Sequence, residues 1–251
     1  MKLYHYTTFS NFCSIWIQQK LKFSTWTNCN DVYEREKIYN FTQQSKEYNG
    51  RVYPKGVLKQ FFNDVCAEVE RYKQISFCLD YNDCKGFASP MMWGHYARDY
   101  QRSGVCLELE SSKIKPAQKG TTIYKGKVKY KKGLTAASHI GGVNAELEDA
   151  AQLFVKKNRE QLFLIKHPHW RPENEYRCVS KDCEYLDISE AITSVYVLWE
   201  DNVTLQAVRR IITDSKKVNF LEVGGLKTLK LKEFNLFEYE ELQEEMRQWK
   251  F

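Results

Sequence analysis

The 251-residue chain is long enough to bury a sizeable core, and its 14% aromatic residues with only 5 Pro and 12 Gly exclude a disordered polypeptide. The net charge of +6 is a mild basic excess, compatible with anionic ligands or nucleic acid and diagnostic of neither. No run of 18 apolar residues occurs and the first residues lack an apolar segment, so neither a membrane span nor a signal peptide is predicted.

The eight cysteines indicate a reducing compartment. They are scattered along the chain, and no two have the C-x-x-C spacing that a zinc site uses. A disulfide-stabilised secreted scaffold is usually much shorter than this chain. We therefore predict a cytoplasmic protein with reduced thiols, no bound metal and no membrane partner.

Hydrophobic periodicity predicts alternating strands and helices, and Ser10 with Asn11 is predicted to cap the first helix. The predicted helices are 12–21, one that begins at 32, 57–72, 91–97, 144–166 and 201–214. The predicted strands are 3–8, 21–24, 74–79, 104–109, 123–130, 176–179, 194–199, 218–222, 228–231 and 235–237, with a turn at 28–31 and a loop at 134–142. No repeat or composition break divides the chain, so residues 1–251 are predicted to form a single domain with helical insertions.

The most informative stretch runs from Trp170 to Arg177 and contains two acids two residues apart, Glu173 and Glu175. Pro172 disfavours helix before it, and the residues that follow have strand composition. In extended chain the two carboxylates would point to one face, roughly 6.6 Å apart along the strand. Such a pair splits its pKa values or binds cationic and hydroxyl groups jointly. The alternative is a solvated strand edge.

Three other groups of residues have two interpretations each. The lysines of 123–130 form a solvated strand face or an anion-binding strip. Asn30, Asp31 and Glu34 form a cation site or cap a helix locally. His167 and His169 suggest metal ligands, but no acidic or thiol partner follows at regular spacing, which disfavours a metal.

The N-terminal motif Tyr4-His5-Tyr6-Thr7, followed by a helix and then Lys20-Leu21-Lys22-Phe23-Ser24, resembles the first motif of the ADP-ribosyltransferase fold. In that fold, a strand that carries His followed by Thr or Ser binds NAD. The resemblance implies an α+β fold with a split, bent, mainly antiparallel sheet of ADP-ribosyltransferase type and flanking helices. Helices 57–72 and 144–166 would be insertions or flanks.

A larger part of the chain resembles a bacterial family catalogued as domain of unknown function 2971. The matching segments are His5–Thr7, Asn28–Glu34, Ile75–Cys78, Met92–Ala97, Gly104–Leu107 and Glu173–Arg177. Val32 stands where that family's pattern has a proline, which leaves the turn less fixed but removes no functional group.

The ADP-ribosyltransferase resemblance also implies roles for individual residues, with NAD as the co-substrate. Glu175 would stabilise the positive charge that develops when the nicotinamide–ribose bond breaks, and Glu173 would orient or deprotonate the acceptor or hold a guanidinium. His5 and Glu175 would have to converge on one cleft. The remaining residues implied at this site are Tyr6 and Thr7 beside His5, Ser76 as the hydroxyl that supports the first acid of the pair, and Trp93 or Tyr96 as a stacking surface for nicotinamide.

These residues predict NAD-dependent ADP-ribosyl transfer to an unknown protein or nucleic-acid acceptor, or NAD hydrolysis. A role as a bacterial toxin or phage-defence effector is implied by resemblance alone. The alternative is a non-catalytic nucleic-acid-binding module, based on the basic charge, the lysines of 125–132 and Lys156-Lys157. A nucleosidase with the same acid pair is a third option. Each site residue also has a purely structural interpretation, as a satisfied strand histidine or as core aromatics.

Overall fold

The computed structural model describes residues 1–26, 47–48, 51–52, 56–82, 84–99, 102–131, 147–198, 202–212, 218–223 and 229–232. The chain forms two compact units. The first comprises Met1–Gln19, Leu79–Ile114 and Ile188–Phe251, and the second comprises Lys20–Cys78 and Lys115–Asp187. Each unit is therefore built from segments that are distant in sequence.

The described helices are α1 (Phe9–Gln18), α2 (Val57–Glu70), α3 (Pro90–Tyr96), α4 (Leu147–Lys157), α5 (Arg159–Phe163) and α6 (Asn202–Ile211). The described strands are β1 (Lys2–Thr7), β2 (Lys20–Lys22), β3 (Ser24–Thr25), β4 (Glu47–Tyr48), β5 (Arg51–Val52), β6 (Lys73–Cys78), β7 (Arg98–Asp99), β8 (Arg102–Ser103), β9 (Val105–Glu110), β10 (Lys115–Pro116), β11 (Tyr124–Lys127), β12 (Lys129–Tyr130), β13 (Ile165–Lys166), β14 (Glu175–Ser180), β15 (Tyr185–Asp187), β16 (Ile192–Leu198), β17 (Val218–Val223) and β18 (Leu229–Lys232). Short 3₁₀ segments lie at Gly86–Ala88, Ser111–Lys113 and Pro168–Glu173.

The predicted mixture of helices with mainly antiparallel sheet is confirmed. Among the described pairs, β16 with β17 and β12 with β13 are parallel. The specific ADP-ribosyltransferase type of sheet stays a prediction, as does the single domain. None of the described helices combines the length and the apolar character needed to cross a lipid bilayer.

The first unit is organised around β9, which lies between β1 and β16. The order of its sheet is β1-β9-β16-β17-β18. Residues from Val105 to Leu109 are buried, because β9 has a neighbour on both edges and packing on both faces. Side chains alternate along β1, so Tyr4 and Tyr6 point to one face and His5 and Thr7 to the other.

Helix α1 begins earlier than predicted. Its N-cap is Thr8, whose side chain accepts a hydrogen bond from the Asn11 backbone N–H, and Ser10 and Asn11 lie inside the helix. The prediction that Ser10 and Asn11 form the cap is wrong, because Thr8 has the extended backbone that an N-cap needs and comes two residues earlier.

The main sheet of the second unit has the order β11-β14-β6, and β3 also pairs with β6. A second, small sheet of this unit has the order β10-β15-β2. In the main sheet Arg177 lies opposite Ser76 on one side and Gly126 on the other. This register places Ser76 of β6, Arg177 of β14 and Gly126 of β11 side by side across the sheet.

Two helices cover the main sheet of the second unit. Buried residues of α2 and α4 form one apolar cluster with Phe163 and Val179. The helix-side members are Phe61, Phe62, Val65, Val69, Ala150, Ala151, Phe154 and Val155. Their i, i+3, i+4 spacing is what predicted both helices.

The predicted helix 144–166 is not continuous, which corrects the sequence-based expectation. It breaks at Asn158 into α4 and α5, and the chain then enters β13. The buried Asn158 side-chain amide donates to the Phe154 carbonyl, a local bond that competes with the helical ladder. The predicted strand 123–130 is likewise divided at the buried Val128, after which the chain pairs with β13. The predictions for 28–31, the helix start at 32, 134–142 and 235–237 fall outside the described residues.

Candidate active site

The predicted acid pair lies at the start of β14, but the two acids do not share a strand. Glu173 ends the 3₁₀ segment Pro168–Glu173, Asn174 has a left-handed backbone with φ 41°, and Glu175 is the first residue of β14. The expectation of an extended Glu-x-Glu is therefore wrong. The alternative of a solvated edge is also wrong, because Glu173 and Glu175 are only 2% and 3% exposed.

Lys166 brings the two carboxylates together. Its Nζ lies 2.5 Å from Glu173 Oε2 and 3.4 Å from Glu175 Oε2, and all three side chains are buried. The ammonium also lies 4.7 Å from the centroid of the Trp170 ring, a cation–π contact. Lys166 is not recognisable from the sequence, because a lysine within Leu-Ile-Lys-His carries no signal of its own.

Arg177 holds Glu175 from the other side. Its Nε donates to Glu175 Oε1 at 2.6 Å, and its Nη2 donates to Glu175 Oε2 at 2.8 Å. Its Nη1 donates to the Phe163 carbonyl at 2.9 Å, and its guanidinium carbon lies 5.5 Å from the Trp26 ring centroid. This bidentate geometry is the strong form of a carboxylate–arginine pair.

The cluster of Lys166, Glu173, Glu175 and Arg177 contains two cations and two anions. Burial alone would raise the pKa of the Glu175 carboxyl, but the charges of Arg177 and Lys166 and hydrogen bonds from Arg177 and Ser76 outweigh it. The pKa of Glu175 is therefore held well below its usual range, and the carboxylate stays ionised. The sequence predicts that the Ser76 hydroxyl supports the first acid of the pair, whereas this hydrogen bond is to the second acid, Glu175. A role of Ser76 in binding NAD stays a prediction.

Tyr130 supports the backbone at the same point. The Glu175 backbone N–H donates to the Tyr130 hydroxyl at 2.9 Å, and the Glu175 carbonyl accepts from the Val128 N–H. Burial is the main cause that raises the pKa of the Tyr130 phenol, so it stays protonated at neutral pH. The acid at the start of β14 is therefore fixed through both its side chain and its main chain.

In the first unit, the residues predicted to bind NAD on β1 divide between two faces. His5 is half-buried and Thr7 is buried, and alternation places them on the same face. Tyr6 points the other way and donates its hydroxyl to the Gly86 carbonyl at 2.5 Å. His5 and Thr7 remain candidates for side-chain contacts with NAD, whereas Tyr6 could contact NAD only through its backbone.

The two aromatic residues predicted to stack on nicotinamide differ in burial. Trp93 is buried, donates its ring N–H to the Phe87 carbonyl at 2.8 Å and makes an edge contact with Tyr6 at 5.4 Å between centroids. Tyr96 is half-buried at the end of α3. Tyr96 therefore offers more of its ring to a ligand than Trp93 does.

The remaining sequence candidates add no ligand set. The rings of His167 and His169 lie 4.5 Å apart between centroids, and His167 accepts from the His169 backbone N–H. No group of three or more His, Cys, Asp or Glu suitable for a metal occurs in the described part of the chain. Asn30, Asp31 and Glu34 lie outside the described residues.

A groove of about 370 Å³ lies on the helical side of the second unit, and neither acid of the pair lines it. It is lined by residues of α2 and α4 together with Arg71. The buried Glu68 in its wall is paired with Lys181 at 2.8 Å and with Arg71 at 3.3 Å. None of the residues predicted for the NAD site lines it.

The fold and the site together define an α+β protein with a buried ion-pair cluster at the start of a central strand. Residues 92–178 match the model of a family described as "Protein of unknown function (DUF2971)". The match supports the family resemblance seen in the sequence over a segment that contains Trp93, Glu173, Glu175 and Arg177. No curated protein and no solved structure matches the chain.

Proposed function

We propose that the protein cleaves the nicotinamide–ribose bond of NAD and transfers ADP-ribose to a protein or nucleic-acid acceptor, or to water. The observation that carries the proposal is the buried carboxylate of Glu175, which Arg177, Lys166 and Ser76 hold in place and keep ionised at neutral pH. A fixed negative charge in a buried setting stabilises an oxocarbenium-like transition state far more than a mobile charge in water does.

In the proposed reaction the bond between ribose C1′ and the nicotinamide nitrogen breaks, and its electron pair neutralises the pyridinium ring. Glu175 stabilises the positive charge left on the ribose. The acceptor then forms a bond to C1′, and its proton passes to Glu173 or to water. By resemblance, His5 and Thr7 contact the adenosine ribose, and the half-buried Tyr96 stacks on nicotinamide.

The burial of Glu175 sets a requirement on this mechanism. Arg177 and Lys166 occupy both of its oxygens, and the side chain is 3% exposed. Substrate binding must therefore displace Lys166 together with the adjoining segment Pro168–Glu173, a local rearrangement of the kind that completes many active sites.

The test is nicotinamide release from NAD by the purified protein, followed by chromatography. Glu175→Gln should lower the rate at least about 100-fold, the usual effect of removing a group that stabilises transition-state charge. Equal rates for the wild type and Glu175→Gln would overturn the proposal, as would a wild type that releases no nicotinamide.

Glu108→Gln is the matched control. Glu108 is also a buried acid, 2% exposed, and it accepts hydrogen bonds from Tyr196 at 2.8 Å and Thr193 at 2.7 Å. Its loss perturbs a buried polar network on β9 without touching the proposed chemistry. Activity per folded molecule should stay near that of the wild type, which separates a catalytic effect from loss of fold.

A further inference from the structure

The lysines of β11 and β12 form a surface of the second unit that the proposed reaction does not use. Residues 124–132 contain five lysines and no carboxylate. The four that the structure describes, Lys125, Lys127, Lys129 and Lys131, are all exposed.

A second basic segment lies at the junction of α4 and α5. Lys156 and Lys157 are exposed in the last turn of α4, and Arg159 begins α5. The Arg159 guanidinium carbon lies 4.8 Å from the centroid of the Tyr124 ring on β11. The fold thus brings together two basic segments that are about thirty residues apart in the sequence.

We define the basic strip as Lys125, Lys127, Lys131, Lys156, Lys157 and Arg159. Lys129 lies among them and is paired with Glu160, so that pair adds no net charge. Part of the positive charge of the basic strip has a structural role within the fold. Lysines on an edge strand block unwanted strand pairing, and lysines at a helix C-terminus complement its dipole. Neither use requires the two segments to lie side by side.

We propose that the basic strip binds the phosphate backbone of a single-stranded nucleic acid. Alternate lysines along a strand are spaced about 6.8 Å apart, which gives a regular row of cations. Tyr176, partly exposed, lies opposite Lys127 in the sheet and is the ring available for base stacking. The ring of Tyr124 lies under Arg159 and packs against the apolar cluster, so it only helps to position Arg159. Cations combined with aromatic rings are the two components of surfaces that bind single strands by phosphate contact and base stacking.

The composition of the strip favours nucleic acid over a membrane. Binding to a lipid surface needs apolar side chains that insert beside the cations. Between Tyr124 and Lys131 the aliphatic side chain is that of Val128, and it is 3% exposed. On α4, Leu153 is 40% exposed one turn before Lys156 and Lys157, which is one apolar side chain and not an inserting face. The proposal does not depend on NAD cleavage, so Glu175→Gln should bind nucleic acid as the wild type does.

The test is fluorescence anisotropy with a labelled 20-nucleotide oligouridylate and the matching oligothymidylate, between 50 and 200 mM salt. The paired substitution Lys125→Gln with Lys127→Gln should weaken binding. It should also lower the slope of log affinity against log salt by about 1.4, since each phosphate contact to a single strand contributes about 0.7.

The control is Lys20→Gln with Lys22→Gln. These two lysines are also exposed and two residues apart on a strand, and their loss changes the net charge by the same amount. Three results would overturn the proposal: an equal loss of affinity in the control, no wild-type binding at 50 mM salt, or tighter binding to phosphatidylserine vesicles, polyglutamate or duplex than to the single strands. Melting temperatures of both variants near that of the wild type establish that they are folded.

Discussion

The side chain of Arg177 is 1% exposed, and among the described residues its guanidinium donates two hydrogen bonds to Glu175 and one to the Phe163 carbonyl. Removing one partner of a buried ion pair leaves the other charge uncompensated in a medium of low polarity. The cost is therefore set less by the lost attraction than by the carboxylates of Glu173 and Glu175, which would be left sharing the cation of Lys166.

Arg177→Ala is expected to lower the free energy of unfolding by about 3–5 kcal/mol, measured by urea denaturation followed by circular dichroism. Arg71→Ala is the control, because Arg71 pairs with Glu68 from an exposed position and is expected to cost about 1 kcal/mol or less. Similar, small losses for both arginines would contradict the buried pairing of Arg177.

The lowered pKa of Glu175 also predicts the direction in which the stability of the protein changes with pH. A carboxyl whose pKa is lower in the folded state contributes stability above its unfolded pKa of about 4.3, and this stability is lost as pH falls through the folded pKa. The melting temperature of the wild type should therefore fall below pH 4.3 more steeply than that of Glu175→Gln.

Ser76→Ala tests the same linkage without removing a charge. The Ser76 hydroxyl stabilises the ionised carboxylate of Glu175, so its loss should raise the folded pKa towards the unfolded value. The acid-induced fall in melting temperature should then end at a higher pH and be smaller than in the wild type. A fall as large as that of the wild type would contradict this contact.

At the scale of elements, two glycines mark places where segments approach closely. A Cβ on Gly126 of β11 would lie 2.3 Å from Leu164 Cδ1, so glycine there lets the segment that leads into Lys166 approach the sheet. A Cβ on Gly104 would lie 2.0 Å from the Thr7 carbonyl oxygen, which is backbone. The first conflict involves a side chain and the second does not.

Gly126→Ala should cost about 1–3 kcal/mol as an overpacking substitution, and Leu164→Ala in the same protein should recover part of that loss. A double-mutant cycle measured by urea denaturation gives the coupling, expected to exceed about 0.5 kcal/mol. Strictly additive effects would contradict the contact. Gly104→Ala is the comparison, because trimming a side chain cannot relieve a conflict with main chain.

The sequence predicts an element well when the residues that determine it lie within one segment of the chain. Helix α2 and strands β6 and β9 follow from periodicity within one segment, and each is observed within two residues of its predicted bounds. The position of Lys166 depends on pairing with a distant strand, and the break at Asn158 depends on a local side-chain hydrogen bond that hydrophobic periodicity does not report. The acid pair was recognisable from its spacing, whereas its cationic partner Lys166 was not.

At the scale of the whole molecule, the described cysteines are free thiols with very different surroundings. Cys84 is exposed and Cys178 is buried. Burial raises the pKa of the Cys178 thiol to about 12 and that of the partly buried Cys66 to about 11. Since the thiolate is the reactive form, both should resist alkylation at neutral pH.

Among the described cysteines, iodoacetamide at pH 8 is therefore expected to modify Cys84 first in the native protein, and Cys178 only after denaturation. Peptide mass spectrometry of samples quenched over time gives the order. Modification of Cys178 at the rate of Cys84 in the native state would show that β14 is less protected than the structure indicates.

The role of the whole protein in a cell, as a toxin or phage-defence effector, is a proposal that can be tested directly. Induced expression of the wild type in bacteria should lower cellular NAD and slow growth, while Glu175→Gln should do neither. Glu108→Gln should behave as the wild type at equal soluble protein. Growth arrest by Glu175→Gln at an unchanged NAD level would separate any toxicity from the proposed chemistry.

Both cations of the buried cluster lie against indole rings, Lys166 against Trp170 and Arg177 against Trp26, which itself stacks on Phe163 at 5.3 Å between centroids. Indole fluorescence responds to nearby charge and to water. The fluorescence of Trp170 and Trp26 should therefore report whether Lys166 stays paired with Glu175 or is displaced from it. A titration of dinucleotides that is followed by tryptophan emission alone would register opening without a label.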